Sequence, residues 1–230
     1  KKNVIEFFRG REAQTFFENV YGDEFKVAVK PQNIEGLQIK GTVEKLLTDI
    51  DTDKNLAQVI TELNLEPLLK RDATKLSGGE FQKLAIAATG LKKADLYFFD
   101  EPTSFLDIRE RLRVAKFIRK LSEDKAVMVV EHDLILLDYL SDLVHLIYGQ
   151  PRVYGLVSQI KTTREGINDY LEGYSREENY RFRDYKIDFF SSLKNQNEDK
   201  AEKIISWPQL EKTLGDFSLS VEANSLNTNE

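Results

Sequence analysis

The 230-residue sequence contains no cysteine. Disulfides, thiolate zinc sites and cysteine-ligated iron–sulfur clusters are thereby excluded within this chain. Two histidines are too few for a multi-histidine metal site. No apolar run exceeds about five residues, against the roughly 20 that a membrane-spanning helix needs. The opening residues, KKNVIEFFRG, make a charged amphipathic start without the apolar stretch of a secretory signal. Positive charge is not in excess either: 33 Lys+Arg against 39 Asp+Glu give a net charge of −6. Any contact with nucleic acid must then come from a local basic face rather than from the overall field. A hydrophobic content of 41% suffices for one sizeable core, or for one domain plus a tail. These features point to a soluble intracellular protein, expected in the cytoplasm.

Along the chain, Val4, Phe7, Phe8, Phe16, Phe17 and Val20 form a broadly helical stripe over residues 3–20. Phe25, Val27 and Val29 alternate with Lys26, Ala28 and Lys30, a strand that stops at Pro31. Residues 33–75 change to short helical pieces, at 43–47 and 56–63, separated by polar turns. From 76 to 148 the texture is α/β: a helix over 78–91 before a strand at 96–99, a helix over 108–121 before a strand at 126–130, and a helix over 134–140 before a strand at 143–148. Strands without strict alternation, separated by helices, predict a parallel sheet covered on both faces. Residues 191–203, SSLKNQNEDKAEK, have linker composition, and FSLSV at 217–221 reads as a strand.

Three motifs carry chemistry. Leu76-Ser77-Gly78-Gly79-Glu80 opens a helix with Ser and Glu at capping-box spacing, and its glycines leave backbone N–H groups open to a phosphate. A simple helix cap explains the same five residues. Leu96-Tyr97-Phe98-Phe99-Asp100-Glu101 puts two acids at the tip of a buried strand, the edge at which open α/β sheets bind ligands. One acid there can hold Mg²⁺ and the next can orient or deprotonate a water; an isolated Asp-Glu pair is otherwise a solvated turn. Val129-Val130-Glu131-His132-Asp133 ends the following strand in polar groups, so His132 can neighbour Glu101.

Taken in order with Lys30-Pro31-Gln32 and Ser104-Phe105-Leu106-Asp107, these motifs resemble those of ABC-type ATPases. Lys30-Pro31-Gln32 resembles the Q-loop, residues 76–80 the signature motif, 96–101 the Walker B strand, 104–107 the D-loop, and His132 the H-switch. The stretches TKLSGGEFQKLAIAATGLKKADLYFFDEPTSFLD and VMVVEHDLILLDYLSDLVHLIYGQP are similar to the first cassette of the ABC-E subfamily, the twin-cassette ribosome-recycling ATPases also called RNase L inhibitor. VYGLVSQIKTTREGINDYLEGYSREENYRFR resembles that subfamily's hinge, and WPQLEKTLGDFSLSVEAN the opening strands of its second cassette.

The resemblance implies an incomplete P-loop NTPase core of the ABC-cassette type, a parallel sheet flanked by helices, over residues 1–160. It implies an inserted helical subdomain at about 33–92, a hinge and linker over 161–206, and the beginning of a second cassette at 207–230. Gln32 would sense the γ-phosphate, Mg²⁺ and attacking water; Asp100, with Gln32, would position Mg²⁺, partly through water. Glu101 would be the general base, and His132 would stabilise the transferring phosphoryl group. Ser77, Gly78, Gly79 and Glu80 would reach the nucleotide of the opposing cassette, and Asp107 would couple the two sites. No glycine is followed by lysine, so the G-x-x-x-x-G-K-[ST] phosphate loop is absent. The expectation is an internal stretch of a longer protein, with iron–sulfur clusters only in a preceding cysteine-rich region. The chain alone is expected to be inactive and to bind MgATP weakly or not at all.

ATP and Mg²⁺ are the implied ligands. Ribosomal subunits and their RNA, the second cassette of the same protein, and translation termination or initiation factors are the implied partners, with no membrane. A basic face at Arg109, Arg113, Lys116 and Lys120 suits ribosomal RNA or is a solvated helix surface. In the hinge, Arg164, Arg176, Arg181 and Arg183 lie among Tyr170, Tyr174, Tyr180 and Tyr185. They could bind RNA or dock the hinge through Arg–carboxylate pairs, and the interleaved acids favour docking. Two other readings are the ATPase subunit of a membrane transporter, which leaves the Gly166-Ile167-Asn168 hinge without a purpose, and a non-catalytic scaffold.

Overall fold

The computed structural model describes residues 2–22, 25–33, 40–188, 203–215 and 217–227. They fall into two compact units, Lys1–Lys186 and Ile187–Glu230.

The first unit begins with two helices, α1 (Lys2–Phe7) and α2 (Glu12–Tyr21), where one stripe over 3–20 was expected. The break falls at Gly10, whose φ of +78° cannot continue a helix. Phe8 stacks on Phe17 across it. Strand β1 (Val27–Lys30) follows, then α3 (Val43–Ile50), capped by Thr42, and α4 (Leu56–Leu63), which ends on Asn64 at φ +49°. Asparagine accepts that left-handed conformation more readily than most residues. Helix α5 (Gly78–Gly90) opens with the expected capping box and leads to β2 (Leu96–Asp100). Helix α6 (Ile108–Leu121) is capped by Asp107 and carries Arg119 and Lys120 in its last turn, where cations suit the helix dipole. Strand β3 (Ala126–Val130) and helix α7 (Leu134–Leu140), capped by Asp133, complete the α/β part.

The strands β1, β2 and β3 make one parallel sheet in that order, with Lys30 opposite Phe99 and Asp100 opposite Val130. Parallel direction puts all three C-terminal ends at one edge. Helix α5 lies against β1 and β2. Leu47, Leu63, Ile86, Phe99, Val114 and Ile118 are all buried in one core, each contributing about 1.5–3 kcal/mol of burial. The sheet departs from expectation on its other face, where Val27, Val29 and Met128 are 46%, 45% and 52% exposed. The strands therefore alternate in burial after all.

The strand expected at 143–148 is also corrected. It breaks into β4 (Leu143–Val144) and β5 (Ile147–Gln150), neither joining the parallel sheet. The backbone of Leu146 between them is taken by Ser158, through Leu146 N to Ser158 Oγ at 2.8 Å and Ser158 N to Leu146 O at 2.8 Å. β5 then pairs with β6 (Tyr154–Val157) and β4 with β7 (Lys161–Thr162), both antiparallel. Helix α8 (Thr163–Glu172) has its own capping box, Thr162 with Glu165. It ends at Gly173, where φ is +70° and a Cβ would meet the Arg183 carbonyl at 2.7 Å. The short pair β8 (Tyr174–Ser175) and β9 (Tyr180–Arg181) closes the unit.

The second unit is antiparallel: β10 (Lys203–Trp207) pairs with β13 (Asn224–Asn227), and β11 (Leu210–Leu214) with β12 (Phe217–Val221). The strand expected at 217–221 is β12. Of the linker at 191–203, residues 191–202 lie outside the described residues, as do 34–39 of the segment expected at 33–92.

Candidate functional site

Because β1, β2 and β3 run parallel, the residues just past their tips converge: Gln32, Glu101 and His132. Gln32 Nε2 donates to Glu101 Oε1 at 2.8 Å, and His132 Nε2 lies 3.3 Å from the same oxygen. Ser104 Oγ donates to Glu101 Oε2 at 3.1 Å. The three residues come from positions about 70 and 30 apart in sequence, and only the sheet register joins them. His132 is largely exposed, its side chain at 79%, while Glu101 is at 24%. Glu131, beside His132, takes other partners. Its carboxylate accepts from Thr103 Oγ1 at 2.6 Å and from the backbone N–H of His132 and Asp133, fixing the turn that presents the imidazole.

Asp100 ends β2, and its carboxylate acts electrostatically on the buried Lys30 ammonium, which bonds the Asp100 carbonyl. Gln32 spends its amide nitrogen on Glu101, which leaves its carbonyl oxygen available. Mg²⁺ prefers hard oxygen ligands and is commonly held by one or two protein oxygens plus phosphates and water. The donor set of Asp100 and Gln32 fits that pattern. Among the described residues, no group of three or more His, Cys, Asp or Glu side chains is gathered to hold a metal, so phosphate and water must complete such a site.

The helix tip is a separate construction. Glu80 N donates to Ser77 Oγ at 3.3 Å and Ser77 N to Glu80 Oε2 at 2.8 Å, while Arg71 Nη1 reaches Glu80 Oε1 at 2.6 Å. Burial raises the Glu80 carboxyl's pKa, but the bonds from Ser77 and the Arg71 guanidinium outweigh it and hold the group below its ordinary 4.5. Glu80 thus faces its own helix cap. Gly79 lies tight against residues 104–107: a Cβ there would stand 2.8 Å from the Phe105 carbonyl. Asp107 accepts from Glu110 N at 3.0 Å as the cap of α6.

Two side chains were not singled out from the sequence. Lys30, quoted there only as the flank of Gln32, is 1% exposed, and its Nζ donates to the carbonyl oxygens of Asp100 at 2.8 Å and Glu101 at 3.3 Å. Gln82 of α5, also 1% exposed, donates from Nε2 to the carbonyls of Glu101 at 2.8 Å and Pro102 at 3.0 Å. The available signal for Lys30 was its parity, since it shares the inward face of β1 with Ala28.

The basic faces are largely occupied. Arg113 pairs with Glu110 at 3.0 Å and Lys120 with Glu62 at 2.6 Å, leaving Arg109 and Lys116 exposed. Arg176 pairs with Glu172 at 3.2 Å. Arg183 donates to the Tyr170 and Leu171 carbonyls and packs over the Tyr170 and Tyr185 rings. Buried Lys161 meets Glu177, Glu178 and Asp169. Burial works against its charge, but hydrogen bonds to Glu177 and Glu178 prevail and hold it above the ordinary lysine value.

A family model described as ABC transporter matches residues 8–104, so the class is that of ATP-binding cassettes. The translation initiation factor RLI1 of Saccharomyces cerevisiae is 43% identical over the whole chain, which spans 39% of that relative. A crystal structure of the complex of archaeal ribosomal stalk protein aP1 and archaeal ribosome recycling factor aABCE1 superposes with TM-score 0.87 at 47% identity, covering 98% of this chain and 44% of that one. A model of ribosome-bound archaeal Pelota and ABCE1 superposes with TM-score 0.88 at 48% identity, covering 97% and 38%. The chain belongs to the ABC ATPases and, within them, to the ABC-E family that includes RLI1. It spans less than half the length of these relatives.

Proposed function

We propose that this chain supplies the hydrolytic strand tips of one ATP site, and the helix tip of a second, in a cytoplasmic ribosome-recycling ATPase. Water attacks the γ-phosphorus of ATP, the bond to the β-phosphate oxygen breaks with its electron pair leaving on ADP, and the proton from the water passes to Glu101. Gln32 orients that water and His132 faces the γ-phosphoryl oxygens, where charge shifts in the transition state. Asp100 and the Gln32 carbonyl would hold Mg²⁺, which when bound would neutralise phosphate charge. Ser77, Gly78 and Gly79, with the helix end fixed by Glu80, face the nucleotide of an opposing cassette. Asp107 joins the same interface by holding residues 104–107 at the start of α6.

Cassette, helical subdomain, hinge and the first strands of a second cassette follow the order 1–160, 33–92, 161–206 and 207–230. The named partners of the relatives, a ribosomal stalk protein, Pelota and the ribosome, support ribosomal subunits as the binding target. On the basic face of α6, Arg109 and Lys116, which are exposed and have no ion-pair partner among the described residues, would meet ribosomal RNA, whereas the hinge arginines serve docking.

The observation that carries this reading is one carboxylate, Glu101, met at a single oxygen by both Gln32 at 2.8 Å and His132 at 3.3 Å. In the full-length protein, Glu101→Gln lowers ATP turnover by about 10²–10⁴-fold, as loss of a general base does. Co-sedimentation with ribosomes in a non-hydrolysable nucleotide persists. Unchanged turnover contradicts the assignment.

A further inference from the structure

The carboxylate read as the general base sits on a constrained peptide. Glu101 has φ +45°, a left-handed conformation that a residue with a side chain keeps only where its surroundings hold it. The holding groups are identifiable. The Glu101 N–H donates to the Val130 carbonyl at 2.9 Å, while the Glu101 carbonyl receives both Gln82 Nε2 at 2.8 Å and Lys30 Nζ at 3.3 Å. The same two side chains grip the flanking carbonyls of Pro102 and Asp100. Three consecutive peptide oxygens are thus held from two elements, β1 and α5.

Neither side chain is a natural core filler. An ammonium in the interior bonded to neutral carbonyls is costly, and burial pushes Lys30 below the usual lysine range against the opposing pull of Asp100, Glu101 and Glu131. Gln82 Oε1 is buried with no hydrogen-bond partner among the described residues, so only its amide nitrogen is used. An apolar residue of similar volume fills such a position at lower cost. Gln82 also stands on the helix that begins at Ser77, Gly78 and Gly79, so one rigid element joins the helix tip to the Glu101 peptide.

We propose that Lys30 and Gln82 are positioning residues that set the aim of the Glu101 carboxylate, and that Gln82 makes this aim follow the position of α5. The inference rests on Glu101 being the base. A displacement of the α5 tip by the opposing nucleotide then reaches the first site through one side chain rather than through residues 104–107 alone.

The test uses the full-length protein with Gln82→Met and Lys30→Met, each alone and combined with Glu101→Gln, measuring kcat, KM for ATP and thermal unfolding. Each single variant lowers kcat by about 10–100-fold, the scale of an ångström-sized misplacement of a catalytic group, with KM for ATP unchanged. On the Glu101→Gln background the further loss disappears, because there is no base left to aim. Should Lys30→Met not fold, Gln82→Met, which removes no charge, decides alone. Normal kcat in Gln82→Met, or an equal loss on both backgrounds, overturns the proposal while leaving Glu101's role standing. If Glu101→Gln itself leaves turnover unchanged, the general-base assignment falls and this inference with it.

Discussion

The two ends of helix-and-strand machinery in this chain are built in opposite ways. The tip of α5 is held by partners three and nine residues away, Ser77 with Glu80 and Glu80 with Arg71. The tip of β2 is held by partners from across the sheet: Lys30 and Gln32 some 70 residues before it, and His132 about 30 after. A locally closed structure keeps its geometry when the surrounding core is loosened. One assembled from distant strands inherits every weakness of that core.

The contrast can be broken from either side. Phe99→Ala empties a fully buried position of β2 next to Asp100. It should lower stability by about 3–5 kcal/mol in urea denaturation and take the Glu101 site with it; a full-stability variant would show that the strand tips do not depend on the core. Ser77→Ala removes half of one capping box and should cost about 1 kcal/mol, with the strand-tip geometry unaffected. A loss comparable to that of Phe99→Ala would mean the helix tip is not locally closed.

The smallest effect is in pH. Glu80 has its folded pKa below its ordinary value of 4.5, so its contribution is present above about 4.5 and fades as pH falls through the folded value. The stability difference between the native protein and Glu80→Gln should therefore be largest near neutral pH and shrink in acid. A difference that grows as pH falls would contradict the bonding seen at Ser77 and Arg71.

The same contrast explains what was legible in the sequence. The Ser77–Glu80 capping box announces itself, so the start of α5 could be placed to the residue, whereas the caps of α6 and α7 by Asp107 and Asp133 emerge only in the structure. The ordering of Gln32, Glu101 and His132 was readable because motif spacing and resemblance stood in for the register. Gln82 was not readable and Lys30 only from its parity with Ala28, since a lysine in a strand and a glutamine in a helix look like surface residues until the register buries them. The strand at 143–148 failed for a similar reason: Ser158, a dozen residues on, captures the backbone of Leu146. The uncovered sheet face was hidden by its composition, because Val27, Val29 and Met128 are as apolar as the residues that turn inward.

The central claim is that Glu101, Gln32 and His132 surround one reacting phosphoryl group. The most direct measurement is a structure of the full-length protein with a non-hydrolysable ATP analogue and Mg²⁺. The expected result is a water within hydrogen-bond reach of Glu101, about 2.6–3.2 Å, in line with the γ-phosphorus, with His132 Nε2 against a γ-phosphoryl oxygen. A Glu101 carboxylate turned away from the γ-phosphate, with another group holding that water, would contradict it.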